Sequence, residues 1–447
     1  MYGRYLPEVS EVHCRGKGGK SMKEQRKYGS LSRLLAFVLS VTMLAGLCPQ
    51  GVSFSGISLT LPKVQAAQHT LSNPRIVKDS SMKAGQKVTW DCVYFGSYPQ
   101  TEVVESGSEE ENDLKGMNTY YVTKYQSVSS NAFAAIENAS YDANGDATVG
   151  GTKYRRMKAG DATYRTSGSD GNYYWSDGYY NWENTSTYHY FKYEPIKWRV
   201  LNVNNDENKA LLFADITLDD QRYNTNSENV TWKSSSIRSW LNGYGMSVNE
   251  PGTDYSNKNF INAAFAANEK KAIKTTNVVN EDNNYYGIEG GNNTLDKVFL
   301  LSMSEICNAD TAMEYGFVKS DTVADEARRV QCSTYAYAMG TARYQRPLVC
   351  NNVRWWLRSP GKNSNYAAIV DDGGWAIDTG NQVTAHFDGV RPALYIDISA
   401  VNIADIYAGT VCSDGTVSEG KEETDNIASP LQKSGEFKFE TSLDNIV

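Results

Sequence analysis

The chain has 447 residues and 40% hydrophobic content, enough for one large domain or two ordinary ones with a real core, which excludes disorder throughout. Its formal net charge is −8; residues 1–66 hold nine Lys/Arg and three Asp/Glu, and without them the chain carries 35 basic and 49 acidic residues, net −14. Such a surface repels phosphate backbones and anionic lipid, so nucleic-acid binding is disfavoured.

The first element is an export signal within residues 1–66. From Met22, the basic residues Lys23, Arg26, Lys27 and Arg33 precede an apolar run from Leu34 to Leu47 that is too short for a comfortable membrane span. Val64–Ala66 offers a small-residue cleavage site, and Leu47 directly before Cys48 argues against lipidation. The purine-rich codons that Gly16–Lys20 would use fit a ribosome-binding site, which makes Met22 the expected start. The expected location is therefore secreted or cell surface, with no membrane insertion once the signal is removed.

Residues 67–84 read as a linker, and "QKVTWDCVYFGSYPQ" opens the globular part as a strand ending at Gly96 and Pro99. A Tyr-rich region spans 103–192. Within it, turn residues Asp142 to Asp146 lead into a strand at Thr148 and Val149. Asp142, Asn144 and Asp146 alternate as in a calcium loop, but Ala147 stands where the turn Gly belongs and Lys153 where the closing Glu belongs, which favours a plain turn.

"EPIKWRVLNVNNDENKALLFADITL" is the clearest hairpin, turning at Asn204–Asn208. "WKSSSIRSWLNGYG" predicts a Ser-capped helix stopped by Gly243, and "NFINAAFAANEKKAI" a second with Phe260, Ile261, Ala264 and Phe265 on one stripe. "DKVFLLS" reads as a buried strand, and "SMSEICNADTAMEYGF" as a short helix stopped by Gly316. Strands return in "VRWWLRS", "YAAIV", "GWAI", "VTAHF" and "GVRPALYIDI", separated by Asn, Asp and Gly turns. Residues 401–447 read as an acidic polar tail or the start of a further segment.

Cys92, Cys307, Cys332, Cys350 and Cys412 are odd in number and without CxxC spacing, so they signal neither zinc nor a dense disulfide framework; a Cys332–Cys350 bridge is open. Cys92 alternates with Val88, Trp90 and Tyr94 on a strand, the setting of a small buried apolar side chain.

Taken in order, "VTWDCVYFGSYPQTEV", "YEPIKWRVL", "ALLFADITLDDQRYN", "TWKSSSIRSWLN", "KVFLLSMSEI", "WWLRSPG" and "GVRPALYIDI" resemble an uncharacterised domain of exported proteins from Gram-positive gut-type bacteria, over roughly residues 85–400. The C-terminal pattern from "LRSPG" to "GVRPAL" in turn resembles the C-type-lectin-like superfamily, which includes formylglycine-generating enzymes. The resemblance implies one α+β domain, residues 85–400, with short helices, β-hairpins and a C-terminal antiparallel strand core that displays a ligand surface.

The copper-dependent relatives need a cysteine pair near that core, and no cysteine lies between Cys350 and Cys412; a three-His iron site would have to recruit His69 along with His189 and His386. No cofactor, no metal site and no catalytic residue is expected. A recognition surface is expected instead on Asn363, Asn365, Tyr366, Asp371, Asp372, Trp375, Asp378, Asn381, Gln382, His386 and Asp388, framed by structural Arg358, Arg391, Trp355 and Trp356. Tyr rings that stack on sugar C–H faces beside Asn, Asp and Gln suit a glycan; a surface protein is the other candidate partner. The Tyr clusters serve equally well as core packing. The alternatives to a binding module are an extracellular enzyme, either a degenerate oxidase or a carbohydrate hydrolase, and a passive envelope protein.

Overall fold

A computed structural model describes residues 70–117, 124–162, 166–167, 173–174, 181–182, 187–246, 253–341 and 352–418, the three short pairs by backbone alone. The signal segment, Cys350 and the side chains of the Tyr173–Trp175 and Tyr179–Trp182 clusters lie outside the described residues. The architecture is strand-rich α+β with short helices. Its largest sheet runs Ile273–Lys274, Ala393–Asp397, Lys209–Ala214, His189–Asn204, Gln86–Glu105, Tyr407–Cys412, Val417–Ser418. A second sheet orders Asp219–Asp220, Gly389–Val390, Trp355–Pro360, Tyr366–Val370 and Ala376–Gln382. Among the described strands pairing is antiparallel except where Tyr125–Val128 lies along Gln86–Glu105 and Gly389 meets Trp355. Among the described residues no helix is long and apolar enough to cross a membrane.

The first strand does not end at Gly96 and Pro99: it runs 20 residues, Gln86–Glu105. Register shifts against His189–Asn204 fall between Tyr94 and Ser97 and between Pro99 and Thr101, and these bulges absorb the two residues that read as stops. Gly96 has φ +70°, and a Cβ there would meet the Phe265 ring at 2.5 Å. Gly96→Ala is therefore expected to cost about 3 kcal/mol, from left-handed backbone plus overpacking. Gly85→Ala, at a similar φ but with nothing within 4 Å, should cost only about 1 kcal/mol. Equal losses in urea denaturation would refute the packing argument.

Two boundaries move. Residues 67–84 are not only a linker, because Arg75–Lys78 pairs antiparallel with Gln86–Thr89. The sheet also continues past residue 400, where Tyr407–Cys412 pairs with Thr89–Val93 and buries Ala408 and Val411. Both segments are short and polar around a few apolar residues, and only partner strands stabilise them.

The hairpin at residues 204–208 is present, with Asn208 in the left-handed region at φ 49°. The earlier hairpin turns elsewhere: Asp146–Val149 pairs with Thr152–Met157 through Gly150–Gly151, while the Asp142–Gly145 turn precedes the strand. Helix Ser236–Asn242 has the expected caps, Ser235 Oγ accepting from Arg238 N and Gly243 at φ 70°. The second helix breaks into Phe260–Ala264 and Glu269–Ala272, because Phe265 turns extended and inserts its ring between Phe95, Trp198 and Phe260. Residues 304–314 likewise split into a wide π-helical turn, Ser304–Asn308, and helix Asp310–Glu314.

Trp90, Trp198, Trp232, Trp355 and Trp356 are fully buried, and each indole N–H finds an acceptor: Tyr315 O, Phe95 O, Asp296 Oδ2, Arg328 O and Gln221 O respectively. Large rings therefore fill the core without orphaned donors. Cys92 is also fully buried, and desolvation pushes its thiol up to about 12.

Candidate functional site

The side chains expected to form one recognition surface are divided by the second sheet. In the hairpin Tyr366–Val370/Ala376–Gln382, Tyr366 pairs with Gln382 at one end and Val370 with Ala376 at the other. Asn363, Asn365, Tyr366, Asn381 and Gln382 lie at the first end. Asp371, Asp372 and Trp375 lie at the second, roughly 14 Å along the strand.

Several are committed internally. Asp371 accepts from Trp375 N at 2.8 Å and stabilises the turn, while Trp375 itself is 40% exposed. Gln382 donates to Tyr366 Oη at 3.3 Å, and the Asp378 carbonyl accepts from Asn283 at 3.2 Å. His386 is half-buried, and desolvation followed by the Arg222 charge lowers its pKa.

Asp388 departs furthest from the expectation. It is fully buried, accepts from Asn381 Nδ2 at 2.7 Å and lies 3.7 Å from Arg354 Nε. Desolvation raises its carboxyl to about 6. Asp388 does not belong to an exposed surface, and partly exposed Asn381 turns its amide towards it; a polar residue between two strand signals looks the same in sequence whether it faces water or a buried partner.

Arg358 and Arg391 are architectural. Arg358 binds Glu305 through two nitrogens and the Val279 and Leu300 carbonyls. Arg391, fully buried, donates to Ala214 O at 2.8 Å and packs over Phe213 and Trp355.

A polar cleft of about 460 Å³ lies elsewhere, where the Asp146–Met157 hairpin faces Trp240 and the start of helix Phe260–Ala264. Its floor is an interlocked buried network. Tyr98 Oη donates to Asp219 Oδ2 at 2.5 Å, and Asp219 Oδ1 accepts from Asp220 N and Gln221 Nε2. Asp146 is held by Arg155 at 2.7 and 3.0 Å, by Tyr193 Oη and by Lys153. The two carboxyls shift oppositely: desolvation raises Asp219 to about 6, whereas for Asp146 desolvation is outweighed by the Arg155 and Lys153 charges and the pKa falls.

The rim carries charge of the other kind. Asp142 Oδ1 accepts from Asn144 N and Asp146 N, and Asp161 Oδ2 from Lys158 N, so both exposed carboxylates hold backbone turns. Arg156, Lys158 and Lys258 make no ion pair among the described residues. Arg156 is instead held between the rings of Tyr141 and Tyr188, 4.5 and 4.3 Å from their centroids. This presents fixed cationic donors beside the half-buried Tyr188 ring on a chain that is otherwise strongly acidic. Tyr190 and Tyr193 of the same stretch are buried, so here the Tyr-rich region divides between packing and cleft.

None of these cleft residues belongs to the expected recognition surface, although Tyr188 falls in a Tyr cluster that suits sugar binding or packing equally, and Asp142, Asn144 and Asp146 form the turn that resembles a calcium loop. One local signal was available: "KYRRMK", residues 153–158, places four cations in six positions. Its partners from residues 98, 219, 240 and 258 carry no shared pattern.

Residues 207–398 match a family described as Domain of unknown function (DUF6273). The match takes in Asp219, Trp240, Lys258 and Tyr335 of the cleft but not Tyr98, Asp146 or Arg156. No curated protein and no solved structure matches the chain.

Proposed function

We propose that the protein is an exported, non-enzymatic binding module whose polar cleft holds an acidic glycan. The observation that carries this reading is the set of cations without an ion pair among the described residues, Arg156, Lys158 and Lys258, around a cleft of about 460 Å³ with Tyr188 and Trp240 in its lining. That volume suits a small ligand, the half-buried Tyr188 ring offers apolar surface for sugar C–H groups, and the cations offer charge-assisted bonds to a carboxylate or sulfate. The signal segment supports export. The motif order ending in "WWLRSPG" and "GVRPAL" supports placement with the C-type-lectin-like superfamily.

A hydrolase reading has one observation in its favour, the opposite shifts of Asp219 and Asp146 in one cleft. Both carboxyls are buried and spend their oxygens on internal donors, which leaves neither free to protonate or attack a bound sugar.

The test is an array of neutral, carboxylated and sulfated glycans probed with the chain from Ala67 onward. Binding to acidic members is expected, and R156A/K158A should weaken it roughly 10- to 100-fold, the loss of one or two charge-assisted hydrogen bonds. Y366A/W375A should leave it unchanged. Loss of binding in that second variant alone would move the site to the C-terminal hairpin. Release of product without stable binding would favour the enzyme, and silence across the array a passive envelope role.

A further inference from the structure

The strand pairing gathers a second group of side chains away from the cleft floor. Glu102 pairs opposite Phe191, so His189, two residues earlier, lies diagonal to it on the same face of the sheet. Helix Glu109–Met117 brings Glu110 to the same point. His189 Nδ1 is 2.9 Å from Glu102 Oε1 and also contacts Glu110 Oε1. One ligand atom from each of the three residues lies within 4.8 Å of the others. Glu102 and His189 are buried, while the Glu110 side chain is 28% exposed, which leaves one side open to solvent.

We propose that Glu102, Glu110 and His189 form a binding site for a divalent first-row transition ion of the Zn²⁺ type, with its remaining position open on the Glu110 side. Two carboxylate oxygens converge on one ring nitrogen, and the single hydrogen that nitrogen can carry lies in line with only one of them. A metal ion in place of that hydrogen engages all three. A divalent ion, two carboxylates and a neutral imidazole sum to zero charge. The imidazole donor selects against Mg²⁺ and Ca²⁺, which take oxygen ligands.

Glu111 is not part of the set, since it accepts from Gly107 N and pairs with Lys115. A bound ion would clamp helix Glu109–Met117 to the main sheet. No sequence spacing announces the site, because ligands at 102, 110 and 189 meet only through strand register.

The experiment is calorimetric titration of the metal-stripped full chain with Zn²⁺ and, separately, Mg²⁺, together with the visible spectrum after Co²⁺ addition. One equivalent of Zn²⁺ should bind, Mg²⁺ should not compete, and Co²⁺ should give the absorption of a low-coordinate site. Glu110→Gln, partly exposed and the least disruptive change, should weaken Zn²⁺ by more than the roughly 10- to 100-fold that losing an outer-sphere partner costs. His189→Gln should abolish the Co²⁺ spectrum, with far-ultraviolet circular dichroism confirming the fold. No Zn²⁺ binding, or binding and spectrum unchanged in both variants, overturns the proposal and leaves a proton-bridged triad.

Discussion

Arg358→Ala should lower unfolding free energy by about 4 kcal/mol, the largest single-residue effect expected here. The Arg358 side chain is 3% exposed and spans three elements. Its Nη1 and Nη2 reach Glu305 at 2.5 and 3.0 Å, while further donations go to Leu300 O at 2.8 Å and Val279 O at 2.9 Å. Truncation leaves two carbonyls without this donor and strands a partly buried carboxylate, and breaking such a pair costs far more than its net worth when intact. Arg358→Lys keeps the charge but cannot reproduce the planar fork, so about 2 kcal/mol is expected. Urea denaturation with both variants checks the ranking; a loss below about 1 kcal/mol in the alanine variant would mean that the guanidinium network is not what joins these segments.

Asp219→Asn should change how stability depends on pH. Burial raises the Asp219 carboxyl from 3.8 to about 6, despite hydrogen bonds from Tyr98, Gln221 and Asp220 N. Because the folded pKa exceeds the unfolded one, the folded state retains a proton that the unfolded chain releases between about pH 4 and pH 6. The stabilising contribution is present below that window and is lost as pH rises through it. The difference in unfolding free energy, variant minus native, should therefore rise by about 2 kcal/mol between pH 4 and pH 7. Asp388→Asn should show the same sign in the same window, since Asp388 is raised to about 6 by the same cause. A difference that stays flat with pH would show that Asp219 titrates normally and that the cleft floor is wetter than its burial implies.

Strands with strong alternation and capped helices were legible without a structure. Ser235 and Gly243 bound their helix in three dimensions as they do in the sequence, and Asn204–Asn208 marks its turn. Trp198, Trp240, Trp355 and Trp356 are buried, as apolar periodic runs imply. The stripe position of Phe265 fits a helix, whereas its contacts with Phe95 and Trp198 go with an extended backbone there. The hairpin residues look like one surface in sequence because sequence distance hides that a β-hairpin has two ends.

What the sequence by itself determined is local: where the chain alternates, where it caps, which tryptophans are core, and that its net charge disfavours nucleic acid. The cleft and the Glu102–Glu110–His189 cluster were decided only by the tertiary structure. Tyr98 meets Asp219 across 121 positions, and Glu102 meets His189 across 87. Such meetings follow from strand order and register, which depend on the whole buried core and leave no periodic trace in the neighbouring residues.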